Sequence, residues 1–463
     1  MNKIKKVILQ FFNDNTESNK KKNHSNKKCL HDKLLLDLIK VNNVNTNSKG
    51  NYKINKQIFS NFIKTSNFCN PYSIYTKFFE NIDSYSNGDF GGGGISIRAI
   101  QIDKLNRIYI GGEFNLIGNL VCSNIAMWDG TKWYNLDSGV NSEVDCLCID
   151  SNNNLWVGGS FDIVGNITSK NIAKWNGINW VPIKGVDSNV SSILTNSNGD
   201  IIIGGYFNNS ELGIPLNKIA KWNSTNWINI GPTYPIDNIY AMGIDKLDNI
   251  YIGGYFFPVS VYNSMGWSIL KNNNGEELSQ IINTIIIDPN TNNPIFGGII
   301  GNFGTITNVF NVIKFDLSNN TWFPLNNSNG FGLNAQCNVL VYDKYNNRII
   351  AGGSFSGLTD DGITSDNTLS LIASYDGTNW SPISNGINGS YVQTIGILNK
   401  GTTLIGGFIN GSKNIYSNGL VIYTNNYVNI WWKKNLLYTL TDFNNKVTIS
   451  ARDIVQYVFE HSL

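Results

Sequence analysis

The 463-residue sequence predicts an all-β fold, a β-propeller of four-stranded blades, on three observations. A strand-like run ending in a glycine pair recurs at Gly111-Gly112, Gly158-Gly159, Gly204-Gly205, Gly253-Gly254, Gly297-Gly298, Gly352-Gly353 and Gly406-Gly407. The spacings of 47, 46, 49, 44, 55 and 54 residues are those of propeller blades or solenoid repeats. Each unit reads as short apolar strands separated by polar turns, without helical periodicity, and four strands per unit select the propeller.

The first full unit shows the elements in order. Ile97, Ala99, Ile100 and Ile102 give the alternating apolar positions of an inner strand. Asp103-Lys104-Leu105-Asn106 is a turn, and Ile108-Tyr109-Ile110 forms a second strand running into the glycine pair. Glycines suit a strand end where the backbone is crowded or needs positive φ. After a loop, Asn124 to Trp128 form a third strand, Asp129-Gly130 a turn, and Trp133 to Leu136 a fourth. The pairs Trp128/Trp133, Trp175/Trp180, Trp222/Trp227, Tyr262/Trp267 and Tyr375/Trp380 are all five residues apart across such a turn. Because the pattern repeats, these rings are expected to pack between blades rather than stack on a ligand.

The order of apolar strand, glycine pair and two spaced aromatics resembles the kelch-like propeller family. The fifth unit matches it best, with Phe296-Gly297-Gly298 followed by Phe315 and Trp322. Other units shorten the aromatic spacing and add Phe114, Phe161 or Phe207 after the glycines. In that they look more like the propellers of cell-surface polarity markers. The resemblance covers about residues 72–451. It implies the fold but no particular activity, because propellers host many.

Both ends carry leftover halves of a unit. Tyr438 to Ala451 aligns with the inner hairpin of the sixth unit, and Tyr75 with Phe79 to Ile82 resembles outer strands. Together they predict a split eighth blade that closes the ring and removes exposed edges. The expected division is a basic Asn/Lys-rich tail at 1–70, a propeller at 71–451 and a strand or short helix at 452–463.

The formal charge of +2 hides two opposed parts. Residues 1–70 hold 14 lysines and four acids, whereas residues 71–463 hold 21 basic and 29 acidic residues. Leu30, Leu34, Leu35, Leu38 and Ile39 of the tail have amphipathic-helix spacing, giving an expected helix at 30–40. The lysine clusters make the tail the only segment expected to meet nucleic acid or an anionic surface. Asparagine abundance is read as compositional background. No apolar run reaches a membrane span. Six cysteines without repeating placement argue against a disulfide framework and favour an intracellular setting, cytoplasmic or virion-associated, over a secreted one.

Chemistry is sparse. The three histidines, His24, His31 and His461, lie outside the repeats, which removes a metal-oxidase centre or a Ser-His-Asp triad built there. Cys146 and Cys148 lack the companions of a zinc site. The repeated Asp103, Asp150, Asp245, Asp288 and Asp343 are expected to cap their own turns. No catalytic residue, metal or cofactor is expected. The expected function is a non-enzymatic protein-interaction scaffold with partners unknown, its contacts made by loops that differ between units. Two such loops are 208–215 and 356–367, the latter carrying Asp360, Asp361 and Asp366 as a candidate contact for a basic partner or cation. A glycan-binding or glycan-cleaving propeller would need clustered acids and exposed aromatics on one face. A ubiquitin-ligase or cytoskeletal adapter would need the 30–40 helix free.

Overall fold

The computed structural model describes residues 95–423, apart from 118–119, 131, 360–367, 384–385, 399–401, 413–414 and 417–418. It also describes strands 44–46, 52–54, 440–441 and 448–449. The chain divides into two compact units, Lys77–Asn425 and a second formed by Met1–Thr76 with Asn426–Leu463.

Within Lys77–Asn425 the seven repeats form seven antiparallel sheets. Blade 1 is Ser96–Ile102, Ile108–Glu113, Ile125–Trp128 and Trp133–Asn135, hydrogen-bonded in that order. Blades 2 to 6 repeat this sequential meander, beginning at Glu143–Ile149, Val190–Thr195, Ile239–Ile244, Ile281–Ile287 and Cys337–Asp343. Blade 7 contributes Ile387–Ile397, Thr403–Ser412 and Leu420–Tyr423. Each first strand touches the first strand of the next blade, and that of blade 7 touches that of blade 1. They therefore ring a common axis. The apolar core lies between blades: Tyr109 and Ile125 of blade 1 pack with Val144, Leu155 and Val157 of blade 2.

The glycine pair does two separate jobs. A Cβ on the first glycine would collide with the inner strand of the next blade: at Gly253 it would meet Ile282 Cβ at 2.7 Å, and at Gly158 Val190 Cγ1 at 2.8 Å. A Cβ on the second glycine would strike a backbone carbonyl of its own inner strand, Ser96 for Gly112 and Asn238 for Gly254. That crowding comes from a β-bulge in every inner strand, where one residue is skipped opposite the pair.

The same rule closes the ring. At Gly406 of blade 7 a Cβ would meet Ile97 Cγ2 of blade 1 at 2.9 Å, and the Ile100 N–H donates to Thr394 Oγ1 at 3.2 Å. Seven blades thus close on each other directly, so closure needs no eighth blade. Of the segments expected to build one, residues 71–94 lie outside the described residues. In the second unit Leu440–Thr441 pairs with Thr448–Ile449, the hairpin expected there, and Val44–Thr46 pairs with Tyr52–Ile54. The expected helix at 30–40, the lysine clusters and residues 452–463 also lie outside the described residues.

The aromatic pairs pack as expected, with ring centroids 5.5 Å apart for Trp128/Trp133, 5.3 Å for Trp175/Trp180 and 5.0 Å for Trp222/Trp227. Of these six rings all but the half-buried Trp222 are buried, whereas Tyr262, Trp267 and Tyr375 of the later pairs are half-buried. The second ring of a pair also bonds the preceding blade: the Nε1–H groups of Trp180, Trp227, Trp322 and Trp380 donate to the carbonyls of Leu136, Lys184, Glu276 and Leu325. Tryptophan suits this position because it fills the gap and carries one donor to its edge.

The turn aspartates cap as expected. Asp103 Oδ1 accepts from the Leu105 and Arg107 N–H groups, and Asp150 Oδ1 from those of Asn152 and Asn154. Asparagine, in contrast, is more than background. Asn124, Asn171 and Asn311 sit at positive φ before their third strands. Each accepts a loop N–H and donates to the carbonyl of Val140, Val186 or Leu333 in the segment leading to the next blade. Asparagine is among the few side chains that tolerate this backbone region.

Asp150 makes acid sensitivity predictable. Burial raises its carboxyl, but hydrogen bonds from Asn154 and the Trp156 indole, with the Lys174 charge, outweigh burial and hold it below 3.8. A depressed folded pKa stabilises above the unfolded value, and that stabilisation is lost as pH falls through the folded one. Urea unfolding midpoints of wild type and Asp150→Asn should therefore differ at pH 6 and converge below about pH 4. A constant gap across that range would rule out ionised Asp150 as the source.

Candidate functional site at the axial mouth

The seven bulges place one extra residue each at equivalent points round the axis: Arg98, Asp145, Ser191, Tyr240, Asn283, Asn338 and Gln393. Each stands 13 or 14 residues before the first glycine of its pair. Sequence reasoning missed this ring, although the constant offset and the polar intrusion into apolar runs such as Ile97-Arg98-Ala99 were legible. A bulge leaves its extra residue out of the ladder, so a polar side chain is tolerated where the pleat alone would bury an apolar one.

Part of the ring is structural. Ser191 Oγ, Asn283 Nδ2 and Asn338 Nδ2 donate to the carbonyls of Ile239, Cys337 and Val392, each just before the bulge of the next blade. Arg98, Asp145 and Tyr240 belong to a distinct arc. Arg98 donates to Glu143 Oε2 at 2.7 Å and Asp145 Oδ1 at 2.8 Å, with Glu113 at 3.6 Å. Asn189 Nδ2 continues the arc, donating to Asp145 Oδ2 at 2.6 Å and Ser160 Oγ at 2.8 Å. Beyond it Tyr206 and Tyr240 stack at 5.8 Å, Tyr255 lies 6.3 Å from Tyr240, and Phe256 meets Tyr255 edge-on at 5.0 Å. Burial, the hydrogen bond with Tyr240 and the charges of Asp145 and Asp237 all raise the Tyr206 hydroxyl above its ordinary value. The acidic and aromatic parts thus share one electrostatic field.

Phe256 stands out. Two residues after the glycine pair, blades 1, 2, 3 and 6 bury Phe114, Phe161, Phe207 and Phe355, and blades 5 and 7 bury Ile300 and Ile409. In blade 4 the buried ring is Phe257, three residues on. Phe256 is therefore an inserted residue, 60% exposed and at φ +51°. A bulky side chain in that region costs about 1–2 kcal/mol, which the edge contact with Tyr255 offsets only in part.

The two ends of the ring differ. At the mouth, connections between second and third strands in blades 1 to 6 range from five to eighteen residues. At the opposite end the turns hold two to six residues. Of the expected contact loops, 208–215 lies at the mouth end, held by Asp187 through the Asn208 N–H and Asn209 Nδ2, with Leu212 and Ile214 exposed. Asp360, Asp361 and Asp366 lie outside the described residues. The expected Gly and Trp residues are placed at blade interfaces, not in the arc.

The thiols are packing groups. Cys146 and Cys148 join the core shared with blade 3, Cys146 donates to the Val190 carbonyl at 3.3 Å, and burial pushes Cys148 up to about 11. Among the described residues no three His, Cys, Asp or Glu side chains are grouped to hold a metal, and no helix is long and apolar enough to cross a membrane.

Residues 73–255, less than half of the chain, match the family model described as the Rax2 C-terminal beta propeller domain. No curated protein sequence matches the chain. Solved structures that it resembles include the extracellular domain of the hybrid two-component system protein BT3049 from B. thetaiotaomicron. That match has 16% identity and a TM-score of 0.49, covering 77% of this chain and 44% of that one. The extracellular domain of the one-component system protein BT4673 from the same organism matches at 15% identity and a TM-score of 0.48, covering 74% and 40%. The chain thus spans less than half the length of either. Virginiamycin B lyase from Staphylococcus aureus matches at 15% identity and a TM-score of 0.43, covering 69% and 94%. Identities this low concern architecture alone. The seven blades are read from the strand pairing of the chain itself, and no match singles out the kelch type.

One expectation is corrected. The intracellular setting inferred from cysteine placement is withdrawn, because extracellular domains stand among the matching structures. The physical reason is that the four described cysteines are unpaired and serve as buried or half-buried packing groups. Such a role carries no record of redox compartment.

Proposed function

We propose that the chain is a non-catalytic protein-interaction platform whose binding surface is the axial mouth at which the glycine pairs end. The observation that carries this reading is the bulge ring, in which seven equivalent backbone positions hold six different residue types, Asn occurring twice. Side chains that leave the ladder at one repeated position can vary without disturbing the blade packing, as a recognition surface requires. The unequal loops gather at the same end. A hydrolytic reading is disfavoured by Arg98, because Glu143 and Asp145 both bind one guanidinium, whereas a glycosidase pair works on the glycosidic bond and a water. A saccharide-binding mouth is the second reading, since exposed Tyr206, Tyr255 and Phe256 share a face with carboxylates. The tryptophans, however, are turned into the blade interfaces. The adapter reading rests on residues 30–40.

A photo-cross-linking residue placed at position 256 of the full chain, in the cells that make it, should yield adducts that a protease destroys. The same residue at Met265, 91% exposed in an opposite-end turn, should yield few. Adducts confined to position 265, or adducts at 256 that resist protease and yield to glycosidases, would overturn the reading.

A further inference from the structure

The chemistry of the mouth narrows the partner. Four carboxylates, Glu113, Glu143, Asp145 and Asp237, lie along the arc or within the electrostatic reach of Tyr206. Two cations accompany them: Arg98, and Lys218, whose ammonium donates to the Tyr206 carbonyl at 3.0 Å. The balance is negative. Beside this excess stand the rings of Tyr206, Tyr255 and Phe256, which are 36%, 44% and 60% exposed. The inserted Phe256 holds its ring in solvent at the expense of backbone strain, so its placement is not a by-product of packing. Ring faces beside an arc of net negative charge attract organic cations, through the ring quadrupole at contact and through the carboxylate field at longer range.

We propose that the mouth binds a polypeptide segment bearing arginine or lysine side chains, with the cationic heads held against Tyr255 and Phe256 and drawn in by Glu113 and Asp237. This rests on the interaction-platform reading and deepens it. A guanidinium suits the site best, being planar and weakly hydrated. An acidic segment would face the same carboxylates and be repelled, which gives the mouth a selection against partners as well as for them.

The test uses the full chain and three labelled probes: (Gly-Arg)4, (Gly-Glu)4 and mannohexaose. The expected result is binding of (Gly-Arg)4 alone, weakening as salt rises from 50 to 300 mM. Phe256→Gly is the decisive variant, because glycine accepts the φ of +51°. It should raise the melting temperature while weakening (Gly-Arg)4 binding by about fivefold. A gain in stability with a loss of binding cannot come from misfolding. Tyr255→Ser should weaken binding similarly, and Met265→Ser should leave it unchanged. The proposal is overturned if (Gly-Arg)4 does not bind, if it binds equally to wild type and Phe256→Gly, or if (Gly-Glu)4 binds as well. Mannohexaose binding that is lost in Phe256→Gly would also overturn it, in favour of a saccharide site. A protein adduct at position 256 without (Gly-Arg)4 binding would sink this inference alone and leave the platform reading standing.

Discussion

Gly254→Ala is expected to destabilise the propeller by about 3 kcal/mol, the upper part of the range for overpacking. The added methyl would drive into the Asn238 carbonyl oxygen and approach Phe257 Cε1 at 2.9 Å. Neither obstacle can swing away, since the first is backbone of the same bulge and the second a ring buried at 4% exposure. Gly177→Ala supplies the comparison. Gly177 sits at φ +96° in a turn where a methyl would meet nothing within 4 Å, so its cost is conformational alone, about 1 kcal/mol. Urea unfolding of both variants separates crowding from φ preference. Equal losses would show that the neighbours of Gly254 shift to accept the methyl and that crowding does not fix this glycine.

Trp227→Ala should cost about 3–5 kcal/mol, as large-to-small changes of buried aromatics do. Trp227 is 1% exposed, packs 5.0 Å from Trp222 and donates its Nε1–H to the Lys184 carbonyl at 2.6 Å. Because Lys184 follows the fourth strand of blade 2, the indole joins two blades as well as filling the gap between them. Trp227→Phe keeps much of the volume and loses the donor, for a loss of about 1 kcal/mol from the hydrogen bond plus a small packing deficit. Thermal unfolding should therefore rank wild type above Trp227→Phe and the latter well above Trp227→Ala. If Phe were as damaging as Ala, the bond rather than the packing would dominate the interface.

Both predictions concern positions that the sequence marks by repetition. Gly254 and Trp227 recur in equivalent places because every blade solves the same packing problem, and a repeated solution leaves a repeated residue. The turn aspartates were legible for the same reason, since an Asx cap acts within a few residues of itself. The candidate site is different. Arg98, Asp145 and Tyr240 occupy one structural position but share no residue type, so a search for recurring residues passes over them. Only the strand register, with one residue skipped opposite each glycine pair, shows that they are equivalent. Phe256 was hidden in the same way. Gly253-Gly254-Tyr255-Phe256-Phe257 reads as a variant of the glycine-pair motif until burial shows which phenylalanine fills the core.

The number of blades divides along the same line. Seven glycine pairs were countable in the sequence, but whether two leftover half-units enter the ring depends on what the blade 7 edge touches. Gly406 against Ile97, and the Ile100 N–H on Thr394, answer that at the seam. By itself the sequence determined the architecture, the blade interfaces and the inner turns, because these follow from local spacing and are repeated in almost every unit. The tertiary structure decided ring closure and the composition of the mouth. Ring closure and the acidic part of the arc rest on contacts between residues far apart in the chain, such as Ile100 with Thr394 at 294 and Arg98 with Asp145 at 47. Periodicity along a chain carries no information about which unlike side chains a closed ring brings face to face.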